Sequence, residues 1–260
     1  MALKKLGVHL KRLFCRSLAC AALFAIPLTT LAVQEAGPSK AALDAGDSYL
    51  HALQAAAQAF MSKDYSKALD KLDMADQIQP NIPDTWRMRG AIYAQERAYE
   101  KAEDAFEKES KLNPGDFWGP YNLAELLLLQ KKYAEAAVAF QRLQIYRGHE
   151  ELVQFKVVLA KCLDGKPQEA KPMLDSMKFP GDTPAYYFAH AAWAFATKDV
   201  KEGYYWCESG VRIFGQDQCL SYYDAMVGPK WMPMRNPDGT YPATSQSLAL
   251  PSATPGDGLQ

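Results

Sequence analysis

The run Trp86-Arg87-Met88-Arg89-Gly90-Ala91-Ile92-Tyr93, followed by Ala102-Glu103-Asp104-Ala105-Phe106 and then Pro114, organises the chain. Trp86, Gly90 and Tyr93 recur at helical spacing, and so do Ala102 and Phe106. The stretch predicts one helix, a tight turn, a second helix and a stop. Pro114 supplies the stop, because proline lacks an N–H and clashes with the preceding turn. Gly90 and Ala102 are small enough for the two helices to approach closely, and Trp86, Tyr93 and Phe106 fill the space beside them.

The same columns return every 34 residues. Pro80 precedes Pro114 by that step; Ala68, Ala102 and Ala136 follow it, as do Leu72, Phe106 and Phe140, and Tyr65, Tyr99 and Tyr133. Gly90 shares its column with Ala56 and Ala124. Period and signature together resemble the tetratricopeptide repeat, with Arg89 standing where that family prefers Leu. A lone helix pair cannot bury its apolar face, so neighbouring pairs must stack. The resemblance therefore implies an all-α fold, an α-solenoid of about five stacked antiparallel helix pairs. Repeats are expected near 49–82, 83–116, 117–150, 151–183 and 184–215, with a capping helix at 218–227, so that the helical domain spans 39–227. In the fourth unit Ala170 and Leu174 keep their columns. The fifth, with Tyr187, Ala191, Ala194, Gly203 and Cys207, keeps the register only with a one-residue slip.

Outside the repeats the composition changes. The chain has 260 residues, 48% of them hydrophobic, which is ample for one core, and its net charge of −1 offers no basic field for nucleic acid. Residues 1–32 hold Lys4, Lys5, Lys11, Arg12 and Arg16 and no acid, and an apolar run follows over 18–33. That layout is a secretory signal peptide cut near Ala32, with an uncleaved membrane anchor as the alternative and a lipid on Cys20 as a third reading. A short linker, 33–38, leads to the repeats. The tail, 228–260, is rich in Pro, Gly, Ser and Thr and is expected to be mostly disordered, while Trp231, Met232 and Met234 can pack on the last helices or plug a groove. Export leaves Cys162, Cys207 and Cys219. Cys207 and Cys219 could form a disulfide; the other reading is three buried apolar thiols.

No catalytic pattern stands out. His9, His51, His149 and His190 show no paired metal-ligand spacing, and no nucleophile elbow or phosphate-binding loop occurs. Neither cofactor nor metal is expected, and an enzyme is the weakest of three functional classes. The resemblance implies a concave groove lined by the first helix of each pair. Its inward columns would place Leu53, Arg87, Trp118, Tyr121, Asn122, Glu125, Phe155, Lys156 and Phe188 against an extended or helical peptide. The expected function is a non-enzymatic exported adaptor or scaffold holding a protein or peptide partner in that groove, in the periplasm or outside the cell. The alternative is a structural or oligomerisation component of an envelope or secretion assembly that uses its convex face. Membrane contact would come only through the N-terminal segment.

Overall fold

The computed structural model describes residues 40–233, with side chains from Ala45 onward. The signal or anchor, the linker and the tail beyond 233 lie outside the described residues. Among the described residues there are eleven α-helices and no strand. Five pairs follow one another: α1 Lys40–Met61 with α2 Tyr65–Ile78, α3 Pro83–Gln95 with α4 Tyr99–Leu112, and α5 Trp118–Leu129 with α6 Tyr133–Arg142. After a short 3-10 turn at Leu143–Ile145 come α7 Glu150–Leu163 with α8 Pro167–Ser176, then α9 Ala185–Ala196 with α10 Val200–Phe214. A last helix, α11 Gln216–Val227, has no second member among the described residues. Each helix packs on its partner and on the pair that follows.

The turn inside each pair is built the same way. The chain passes through left-handed backbone at Lys63, Arg97, Lys131, Gly165 and Lys198, with φ between 60° and 76°. The next N–H then reaches back to close the turn: Asp64 to Ala59, Ala98 to Tyr93, Lys132 to Leu127, Lys166 to Lys161 and Asp199 to Ala194, at 2.9 to 3.0 Å. Asp64 and Asp199 also cap the second helix by accepting from the N–H of Lys67 and Glu202. The first four turns keep the 34-residue step, and the fifth arrives one residue early.

In pairs two and five, close approach depends on a glycine facing a ring. A Cβ on Gly90 would lie 2.4 Å from the Phe106 ring, so no side chain fits there. In pair five the arrangement is inverted. Gly203 lies on the second helix and faces Phe195 on the first, with 2.5 Å for a Cβ. Bulk has moved from the second helix, where small Cys207 occupies the aromatic column, to the first. Ala68, Ala102, Ala136, Phe106 and Phe140 are fully buried, Trp86 and Tyr93 are half-buried, and Pro114 is exposed in the turn after α4.

Candidate functional site

The nine residues assigned from sequence to an open groove are all buried. Leu53 and Trp118 are 9% exposed, and Tyr121, Asn122, Phe155 and Phe188 are 0 to 1%. The four polar members are occupied with one another and with neighbouring acids. Arg87 reaches Glu109 at 2.5 Å, Asp84 at 3.0 Å and Asp116 at 3.1 Å. Asn122 donates to the other oxygen of Glu109 at 3.4 Å. Lys156 pairs with Glu125 at 2.8 Å. These bonds join pair two to pair three and pair three to pair four. Arg87, Asn122, Glu125 and Lys156 are therefore struts of the stack, because a buried charge must be paired and the nearest partners lie on the adjoining helices. Three carboxylates compete for one guanidinium around Arg87. Burial pushes Glu109 up to about 7 against the pull of Arg87, and burial raises Asp84 as well.

The apolar members are covered too. Tyr222 of α11 lies between Phe155 of α7, at 5.1 Å between ring centroids, and Phe188 of α9, at 5.6 Å. Tyr121 sits under Phe117 and Trp118, and Phe117 in turn stacks face to face on His149 at 3.9 Å. Trp231 stacks on Phe195 and Met232 is buried, so this pair of tail residues packs on the last helices. Cys162, Cys207 and Cys219 carry free thiols. The bridge weighed for Cys207 and Cys219 is not formed; both serve as small apolar residues of the core, and burial pushes the Cys219 thiol up to about 12.

Pair five also carries rings that stay open. Phe179, 64% exposed in the turn before α9, lies 5.2 Å from Tyr186. Tyr186 contacts His190 at 4.4 Å, His190 contacts Trp206 of α10 at 4.6 Å, and Trp206 contacts Tyr205, which is 46% exposed. These five rings form a continuous aromatic wall. Lys171 and Asp175 of α8 flank it as an ion pair, and Lys171 also lies over the Trp193 ring at 5.9 Å. Burial, helped by Lys171 and opposed by Asp175, pushes His190 down to about 4, so the wall is uncharged at neutral pH.

No protein-family profile matches the chain, and no curated protein sequence does. Solved structures do. TTC0263, a tetratricopeptide-repeat protein of Thermus thermophilus, superposes with a TM-score of 0.53 at 15% identity, over 69% of this chain and 99% of that one. The chain folds as a tetratricopeptide-repeat solenoid. PilW, a type IV pilus biogenesis factor, matches this solenoid with a TM-score of 0.52 at 16% identity, over 70% of this chain and 88% of its own. PilF of Pseudomonas aeruginosa gives 0.52 at 16%, over 72% and 86%.

The solenoid's wall went unread in the sequence although a signal was there. Tyr186, His190 and Trp193 recur at i, i+4 and i+7, one face of a helix, and Tyr204-Tyr205-Trp206 concentrates rings on the next. The repeat template hid them, since it directs attention to the inward columns. Among the described residues no three His, Cys, Asp or Glu side chains gather as a metal would need, and no helix is long and apolar enough to cross a membrane.

Proposed function

We propose that this chain is a non-enzymatic scaffold that holds a protein partner on the aromatic wall of pair five. The wall itself carries the reading: five touching rings, two of them exposed, with an uncharged His190 among them and the Lys171–Asp175 ion pair at its edge. Tyr, Trp and Phe concentrate where interfaces store their binding energy, because they bury a large rigid area at little entropic cost. A neutral wall selects a neutral, apolar partner segment. The composition of residues 1–32 supports export, so the partner would be met in the periplasm, outside the cell or at a membrane face. The likeness to PilW gives a first set of partners to try, pilus assembly proteins.

The test is co-purification from an envelope fraction with the double variant Phe179→Ala/Tyr205→Ala. Both side chains are exposed, so melting temperature should stay within a few degrees. Capture should fall at least tenfold. Undiminished capture by a folded double variant would remove the wall from the interface.

A further inference from the structure

We propose that the chain's own segment 239–251, led by Tyr241-Pro242, docks in cis on the aromatic wall of pair five and competes there with the partner. The proposal rests on the reading of the wall as a docking surface and adds what regulates access to it. The segment's chemistry matches the wall's. From Gly239 to Gly256 the sequence holds no charged side chain, and it carries Tyr241, Pro242, Leu248 and Leu250. A residue before proline is pushed toward extended backbone, and extended proline-bearing segments bind by laying their rings on aromatic faces. The wall presents such faces. Tyr186, His190 and Trp206 form a compact trio, with centroid separations of 4.4, 4.6 and 5.9 Å. Phe179 and Tyr205 stand exposed at the two ends of the chain of ring contacts. An uncharged segment suits a wall whose imidazole is held neutral by burial and whose flanking Lys171 is matched by Asp175.

The segment is also delivered to the right place. Trp231 stacks on Phe195 of α9 at 5.9 Å, and the Tyr223 hydroxyl donates to the carbonyl of Pro233 at 3.1 Å. The point from which residues 234–260 depart is thereby fixed against the helix that carries Tyr186 and His190. Phe195 and His190 lie about 7.5 Å apart along the axis of α9 and on different sides of it, so the path round a helix ~10–12 Å across is about 15 Å. Residues 234–241 span about 26–29 Å when fully extended, so Tyr241 reaches His190 and Trp206 with slack to spare. A tether this short supplies an effective concentration of about 1 mM. A segment with an intrinsic Kd of ~0.1 mM then holds the wall about 90% of the time and lowers a partner's apparent affinity about tenfold. The tether makes up for weak contacts, and a tighter partner still displaces the segment.

The test uses the full chain with photoreactive benzoylphenylalanine in place of Tyr241. Irradiated in dilute solution, it should give an adduct at the mass of one chain, mapped by mass spectrometry to residues 179–206. The yield should fall at least fivefold in the Phe179→Ala/Tyr205→Ala background. Adducts at twice the chain's mass would give the wall to the tail of a second copy, and adducts elsewhere, or none, would take the tail off the wall; each overturns the proposal. In a second arm, Tyr241→Ala/Pro242→Ala should raise capture of the wall-dependent partner from the envelope fraction about tenfold with an unchanged melting temperature. Unchanged capture would show that the tail does not compete. The two readings of the wall fail separately. A crosslink together with capture indifferent to Phe179→Ala/Tyr205→Ala removes the partner from the wall and leaves the tail there. Wall-dependent capture without a crosslink leaves the partner there and removes the tail.

Discussion

Gly90 and Lys131 show how much of this fold turns on single positions. The Phe106 ring occupies the place where a Cβ on Gly90 would stand. Gly90→Ala gains about 1 kcal/mol of helix propensity but forces a buried ring to move, which costs about 1–3 kcal/mol. We expect a net loss of up to about 2 kcal/mol in urea unfolding; a gain would mean that the ring yields freely. Lys131 is an exposed non-glycine residue held at φ 61° in the turn of pair three. Lys131→Gly should stabilise the protein by about 0.5–1 kcal/mol, because the left-handed backbone is strained for any L side chain but free for glycine. Gly165 already holds that place in pair four. Gly90 is legible in the sequence as a small residue in a repeating column, and Lys131 lies at a turn that returns with the same period. The roles of Arg87 and Lys156 are not legible there. A cation in an inward column reads as a groove residue until the carboxylates of adjoining helices are seen to claim it.

Between elements, the joint of α2 and α3 carries a charge in a column of the repeat signature. Arg89, in the column where repeats of this kind carry leucine, bridges back to Asp73 at 2.6 Å and Asp76 at 2.7 Å on α2, and lies 5.5 Å from the Trp86 ring. Lys108 covers the same ring from α4 at 3.9 Å. A charged strut stands in the leucine column of this seam, beside the apolar contact that Met88 and Ile92 make to pair one. Arg89→Ala should therefore loosen pair one selectively. Hydrogen exchange in α1 and α2 is expected to quicken at least tenfold while α7 and α9 keep their rates. A uniform change across all pairs would show that the seam has no special weakness. The departure at Arg89 was visible as a mismatch to the repeat signature, but which acids would answer it depended on how α2 and α3 meet.

Across the whole molecule, a buried carboxyl and a half-buried imidazole act against each other. Glu109 is raised from 4.5 to about 7, so between those values the folded state binds more protons than the unfolded chain, and stability falls as pH rises. His190 is lowered from 6.5 to about 4, so between those values the unfolded chain binds more protons, and stability rises with pH. The windows overlap, and wild type should show little pH dependence from about 4.5 to 6.5. Each single variant should expose the other group. Glu109→Gln is expected to gain stability as pH rises through that range, and His190→Gln to lose it, in thermal melts at matched ionic strength. Parallel profiles for the two variants would refute the opposition.

The 34-residue period, the positions of the turns and the small-against-large columns of each pair follow from the chain alone, because they rest on backbone propensity and on contacts between residues close in sequence. Folding settles a different set of questions. The inward columns of pairs four and five are filled because α11 returns over α7 and α9, a contact between residues far apart that no periodicity encodes. Rings outside the repeat columns, Phe179 and Tyr205 among them, meet as a wall only when three elements come together in pair five. A repeating pattern specifies each unit and its neighbour; which faces of the finished stack remain open to a partner depends on long-range packing.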